Sequence, residues 1–195
     1  MKIIVIVDAQ NDFIDMALGS KEAVIAADNI VKYLHNYNDP ETLILFTKDT
    51  HYENYLETAE GKKLPIPHCI AFTPGWSIYK PISQEVDYTS GKFYSYSAEN
   101  VRKGRVLKNT FGSEELIEIL KGINEGYVVD SIEFMGFCTD ICVVSNVLMT
   151  KAALPEISIK VRANCCAGTT PEAHEAALKV MHSCQINVME ELKND

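Results

Sequence analysis

The sequence predicts an α/β fold: a parallel sheet with helices on both faces, built as a single domain over residues 1–195. Three observations lead there. Apolar strand-like runs alternate with helix-like segments along the whole chain, the pattern of parallel sheets. Ile3 to Val7 is an unbroken apolar run, suited to a strand buried on both sheet faces. A chain of 195 residues with 47% hydrophobic and 23% charged residues is large enough for a full core without disulfides or a structural metal.

The elements follow in order. Lys2 to Val7 is the first strand, and a helix follows with Ile25, Ile30, Val31 and Leu34 on its apolar side. Thr42 to Thr47 is the second strand. Residues 51 to 103 read as mostly irregular, broken by Pro65, Pro67, Pro74 and Pro81. So long a connection is more often functional than idle. Arg105 to Lys108 is a short third strand. Ser113 caps a helix running to Leu120, with Glu114 and Glu115 in its first turn. Ser131 to Gly136 is the fourth strand and Ile157 to Val161 the fifth. Thr170-Pro171 opens a helix with a cap and a proline at its first position. Ile186 to Val188 is a short closing strand.

Composition narrows the function. The formal net charge is −9 and no basic run appears, which argues against nucleic acid as a partner. The N-terminal apolar run is too short for a signal peptide, and no stretch reaches the 18 or more apolar residues of a membrane span. A cytoplasmic protein without a membrane partner is expected. Six cysteines (Cys69, Cys138, Cys142, Cys165, Cys166 and Cys184) form no CxxC pair and are expected to be reduced.

Strand ends carry the candidate chemistry. In open parallel sheets, sites form at the carboxyl ends of the strands. Asp8 follows the first strand, Asp49 and His51 the second, Lys108 ends the third, and Gly136-Phe137-Cys138-Thr139-Asp140-Ile141-Cys142-Val143 follows the fourth. Apolar residues from Ile141 to Met149 recur at helical spacing, and Thr139 suits the N-cap, which places Cys142 in the first turn. Backbone N–H groups and the dipole there favour a thiolate, lower the thiol pKa and can hold an oxyanion. A buried core cysteine at a strand–helix junction fits the same position. Asp8 could take the thiol proton and pass it to a leaving amine, or simply cap the next turn. Lys108, at a buried strand end, could stabilise both anions, although most lysines are solvated. Asp49, His51 and the later His68 offer two imidazoles and a carboxylate to a divalent ion, but a DxH pair also arises by chance.

Asp8 within VDAQNDF, Lys108 within LKNTFGS and Cys142 within GFCTDICV resemble the Asp-Lys-Cys triad of the isochorismatase-like cysteine hydrolases. The segment Asn164 to His174 resembles that family's terminal segment, and the resemblance runs from residue 2 to about 188. It implies a three-layer α/β/α domain with a six-stranded, mainly parallel sheet. It also implies a cis peptide between Phe137 and Cys138 and an oxyanion held by the N–H groups of Cys138 and Cys142. Asp49, His51 and His68 resemble the metal site of the nicotinamidases within this family, with Glu60 as a further ligand or a solvated loop charge. One divalent ion is therefore implied, zinc or else manganese or iron, in a homo-oligomer acting on a small amide. Phe13 is a candidate substrate wall, with Trp76 or Tyr79 as a second. Pro65 stands where many nicotinamidases carry an aromatic ring. The activity implied is conversion of nicotinamide to nicotinate and ammonia through a thioester. A relative cleaving another small amide or ureide, or a metal- or redox-sensing binding protein using Cys138 and Cys142, are the competing readings.

Overall fold

A computed structural model of the chain describes residues 1–37, 39, 42–86 and 104–190. Six strands, β1 (Lys2–Val7), β2 (Leu43–Asp49), β3 (Arg105–Lys108), β4 (Ser131–Phe137), β5 (Ser158–Ala167) and β6 (Asn187–Met189), form one sheet. Its order is β3-β2-β1-β4-β5-β6, and every pairing is parallel. The chain winds outward from β1 in one direction through β2 and β3, then restarts at β4 on the other side. The carboxyl ends of β1, β2 and β4 therefore flank the switch point, where α/β sheets open a crevice.

Helices α1 (Asn11–Ile14), α2 (Lys21–Asn36), α3 (Lys80–Gln84), α4 (Glu114–Gly126), α5 (Val144–Ala153) and α6 (Pro171–Ser183) complete the fold. Three long helices are capped by a hydroxyl, two of them at the expected Ser113 and Thr170. Ser20 accepts from the Ala23 N–H, Ser113 from Leu116 and Thr170 from Ala173. Ile3 to Val7 are fully buried, as expected for a central strand with helices on both faces. Among the described residues, no helix is long and apolar enough to cross a membrane.

The fifth strand is longer than the expected Ile157 to Val161: it does not stop before the charged Arg162. Instead Arg162 is 1% exposed and pairs with the fully buried Glu133 on β4, which Lys2 Nζ also meets at 2.7 Å. With its charge compensated inside, the strand continues to Ala167. Gly136 lets β4 pass close to β1. Its φ is +126°, and a Cβ there would overlap the Val7 carbonyl oxygen. The connection after β2 is less irregular than its prolines suggested. His51 bridges Ile70, Gln10 bridges Ile78, and a 3-10 turn spans Tyr55–Glu57. The expectation for residues 87–103 lies outside the described residues.

Candidate active site and metal centre

Three strand ends bring Asp8, Lys108 and Cys142 together. Lys108 Nζ lies 2.6 Å from Asp8 Oδ2 and 3.4 Å from Cys142 Sγ. Asp8 is held in the left-handed region, at φ 46°, directly after β1. The Thr47 hydroxyl on β2 donates to its Oδ1 at 2.7 Å. All three side chains are buried, which decides their ionisation. Burial pushes the Asp8 carboxyl up, opposed by the Lys108 charge and the Thr47 hydroxyl. Burial opposes the charge on Lys108 as well, but Asp8, Cys142 and Asp49 outweigh it and raise its pKa.

Two expectations about the cysteine segment need correction. The Cys142 thiol is not lowered. Its burial raises it well above the ordinary value, and Lys108 only partly offsets that. Thr139 is not the N-cap either. Thr139–Val143 forms a π-helical turn with Cys138 at its N-cap and no side-chain cap, and the regular α5 begins at Val144. Thr139 Oγ1 instead lies 2.8 Å from His174 Nδ1. The peptide between Phe137 and Cys138 is cis, as the resemblance implied.

Asp49, His51, Glu60 and His68 converge a short distance away. Each offers one ligand atom, all within 4.8 Å of one another. His51 Nε2 is 2.9 Å from Asp49 Oδ2 and 3.6 Å from Glu60 Oε1, while His68 Nε2 is 3.5 and 3.6 Å from the same two oxygens. Donors about 2.1 Å from a tetrahedral ion stand about 3.4 Å apart, so the spacing fits a shared cation. The chemistry fits as well. His68 Nδ1 is 2.9 Å from the Ile66 carbonyl, which fixes the proton on Nδ1 and leaves a lone pair on Nε2 facing two carboxylates. A cation between them turns that repulsion into attraction. Burial opposes ionisation of Asp49, but the Lys108 charge holds its carboxyl below the usual range. Asp49 Oδ1 is 3.6 Å from Lys108 Nζ, so this one carboxylate faces both the metal donors and the triad.

Further residues build the site from behind, and nothing in the sequence alone signalled their roles. The fully buried Gln10 clamps the Asp49 backbone, accepting from its N–H at 2.7 Å and donating to its carbonyl at 2.9 Å. Asp12 Oδ2 accepts from the Cys69 N–H at 2.7 Å, fixing the loop that carries His68. Both belong to the VDAQNDF segment that supplies Asp8.

A cavity of about 1000 Å³ joins the two clusters. Cys138 and Cys142 line one part of it and Asp49, His51, Glu60 and His68 another. Phe13 lines it too and packs edge-on against His68, with ring centroids 5.5 Å apart. Trp76 and Tyr79 do not line it, which corrects that expectation. Trp76 turns its indole N–H to Thr50 Oγ1 at 2.9 Å and stacks under Lys48. Tyr52, Tyr55, Phe111 and Phe137 also line the cavity. A second depression, of about 920 Å³ and bordered by α2 and α6, holds none of the triad or the metal donors.

The isochorismatase domain family matches residues 2–191. The chain belongs to the isochorismatase family. Among solved structures, it resembles nicotinamidase PncA of Bacillus subtilis at 23% identity and a TM-score of 0.74, over 97% of this chain and 99% of that one. The pyrazinamidase/nicotinamidase of Streptococcus mutans UA159 aligns at 23% identity and 0.75, over 97% and 100%. The pyrazinamidase of Pyrococcus horikoshii, solved in complex with zinc, aligns at 22% identity and 0.71, over 97% and 99%. No curated protein matches the sequence significantly. At these identities the structural neighbours establish the shared fold of the family, and the chemistry must be argued from this chain's own residues.

Proposed function

We propose that this family member is a metal-dependent cysteine amidohydrolase that converts nicotinamide to nicotinate and ammonia. The observation that carries the reading is that one cavity is lined by both Cys142, within 3.4 Å of the Lys108 that pairs with Asp8, and the four converging metal donors. The Pyrococcus horikoshii neighbour was solved with zinc, which supports that metal as the ion here. Manganese or iron would suit the same donors.

Cys142 is the nucleophile. Asp8, its carboxyl raised by burial, accepts the thiol proton as sulfur attacks the carboxamide carbon. The developing oxyanion rests on the backbone N–H groups of Cys138 and Cys142. The turn supports this assignment, since the Cys138 carbonyl accepts from Ile141 and Val143 on either side of Cys142. Asp8 returns the proton to the departing nitrogen, the C–N bond breaks and ammonia leaves a thioester. Asp8 then takes a proton from water as the water oxygen attacks the thioester. The C–S bond breaks, and the thiol regains its proton as nicotinate is released. Lys108 offsets the cost of holding these anions in a buried site. Asp49, His51, His68 and Glu60 hold the ion, which, when bound, supplies a Lewis acid that orients a ring nitrogen. Phe13 walls the ring. We place this chemistry in a cytoplasmic homo-oligomer of one domain, without nucleic acid or membrane as partner.

The test is ammonia release from nicotinamide, pyrazinamide and unrelated amides, before and after chelation and re-addition of a divalent ion. Turnover of nicotinamide that falls on chelation and returns with metal is expected. A second reading, hydrolysis of a different and larger amide or ureide, draws on the cavity volume and on Pro65, which does not line the cavity. Turnover of such a substrate with none of nicotinamide would select it. Undiminished nicotinamide turnover after verified metal removal would rule out the metal's role.

A further inference from the structure

Asn146, on α5 four residues after Cys142, is fully buried, and its side chain makes three hydrogen bonds. Its Nδ2 donates to the Cys142 carbonyl at 2.8 Å and to the Phe111 carbonyl at 3.1 Å. Its Oδ1 accepts from the Ser113 N–H at 3.0 Å. A buried amide so satisfied holds its partners firmly, because any shift leaves a polar group without water. Those partners belong to separate parts of the cavity lining. Cys142 carries the sulfur, while Asn109, Thr110 and Phe111 form the loop that follows Lys108 and also lines the cavity. Among the described residues, no other element bonds to the backbone of residues 109–112; the one further bond there is local, from the Thr110 hydroxyl to the Gly112 carbonyl at 2.6 Å. Gly112 lets this loop lie close to α5, since a Cβ there would overlap Met149 Sδ. Hydroxyls nearby bond along the helix itself. Ser145 donates to the Ile141 carbonyl at 2.6 Å and Thr150 to the Asn146 carbonyl at 2.8 Å, each four residues back. Asn146 makes that same bond to Cys142 and adds a bridge to another element.

We propose that Asn146 is a positioning residue whose one amide sets the gap between the Cys142 nucleophile and a Phe111 wall, and so the size of acyl group the site accepts. The inference rests on the cysteine-hydrolase reading of the site. Both Nδ2 hydrogens lie in the plane of a single rigid amide, so the two carbonyls they hold cannot move independently. The Ser113 N–H fixes the other end of that plane and ties it to the start of α4. Phe111 is 47% exposed, so packing holds its ring weakly, and the bond to its own carbonyl keeps it at the cavity.

Four variants of the metal-loaded protein test this with nicotinamide and the larger quinoline-3-carboxamide: Asn146→Thr, Asn146→Leu, Phe111→Ala, and Asn146→Thr combined with Phe111→Ala. A threonine hydroxyl reaches the carbonyl four residues back, as Thr150 does, but is too short to bridge to Phe111. Asn146→Thr therefore keeps kcat near the wild-type value, while KM for nicotinamide rises about fivefold and the preference over quinoline-3-carboxamide narrows. Leucine makes neither bond, so Asn146→Leu also lowers kcat, by about tenfold. Phe111→Ala raises KM as well, and adding Asn146→Thr to it raises KM no further, because the wall that the amide holds is already gone. A role in stability alone predicts a lower Tm for Asn146→Thr with KM and selectivity unchanged, or the same KM increase with and without the Phe111 ring. Either result overturns the inference. So does an unchanged KM in Phe111→Ala, which is read even where the Asn146 variants do not fold. Iodoacetamide labelling of Cys142, read by mass spectrometry, separates this inference from the reading beneath it. Wild-type protein that neither releases ammonia from any amide nor labels at Cys142 defeats the hydrolase reading and this inference with it. Active wild type with a KM unresponsive to Asn146→Thr defeats only the role of Asn146.

Discussion

Replacing Lys108 by methionine removes a positive charge while keeping most of the side-chain stem. Its Nζ is 2.6 Å from Asp8 Oδ2 and 3.6 Å from Asp49 Oδ1, and both carboxyls are buried. Breaking a buried ion pair costs about 3–5 kcal/mol. The lower end applies, because the Thr47 hydroxyl still donates to Asp8 and His51 still meets Asp49 at 2.9 Å. For a chain of this size, a loss of about 3 kcal/mol lowers Tm by roughly 6–12 °C. The pH dependence gives the sharper test. Burial already raises Asp8, and losing the lysine raises it further. An acid with a higher pKa folded than unfolded contributes most stability below its unfolded value of about 3.9, and loses it as pH climbs to the folded value. Asp49 is the converse case. Its depressed carboxyl contributes stability above its unfolded value and loses it as pH falls, and part of that contribution comes from Lys108. The Asp8 effect makes the gap between wild type and Lys108→Met widen from pH 4 toward neutrality, while the Asp49 effect narrows the gap further only below about pH 4. Urea unfolding of metal-stripped protein, followed by fluorescence of the single Trp76, measures the gap between pH 4 and 8. A gap that is constant, or widest at pH 4, refutes the role of Lys108 as counter-charge to these carboxylates.

Other perturbations separate the parts of the site. Cys138→Ala should keep much of the ammonia release, since that residue is assigned only a backbone role; loss as complete as removal of the nucleophile would contradict the division of labour between the two thiols. Gln10→Leu cuts both hydrogen bonds that orient the Asp49 backbone. A 10- to 100-fold weaker zinc affinity is expected in competition with a chelator, roughly the effect of losing an outer partner of a metal ligand; unchanged affinity would show the clamp to be dispensable. Glu133→Gln weakens the buried bond to Arg162 and should cost about 1–3 kcal/mol in urea unfolding while leaving kcat unaltered. Because Glu133 is held below the usual carboxylate range in the fold, the wild-type advantage is present above about pH 4.3 and fades as pH falls. An advantage that grows toward acid would contradict the pairing.

The parts of this architecture visible in the sequence are those that local patterning controls. A continuous apolar run marks β1, a largely apolar run broken by Glu133 marks β4, and Ser113 and Thr170 mark helix starts by their chemistry alone. Reactive side chains at the ends of successive strands already point to a common crevice, which is why Asp8, Lys108 and Cys142 could be named together. What stayed hidden depends on partners distant in sequence. Thr47 supports Asp8, and Gln10 supports Asp49, across 39 residues, while Asp12 supports Cys69 across 57. Thr139 has the right chemistry for an N-cap, and only the fold reveals that His174, 35 residues later, takes its hydroxyl. The expectation of a lowered thiol failed for a related reason. A helix start can be read from spacing, but the burial of Cys142 cannot, and burial outweighs Lys108. The length of β5 was equally hidden, since the burial of Arg162 depends on Glu133, 29 residues away in sequence. Phe13 was legible as a wall, but Trp76 and Tyr79 were misassigned because the path of the connection after β2 sets which rings face inward. That path turns Tyr55 and Tyr52 to the cavity and Trp76 away from it.

The central claim is that Cys142 attacks an amide carbon with Asp8 and Lys108 in support. Ammonia release from nicotinamide by metal-loaded wild type and Cys142→Ala, compared at equal concentration with folding and metal content verified, tests it most directly. Release by the wild type, and none above the uncatalysed background by the variant, is the predicted result. Equal release by both proteins would contradict it.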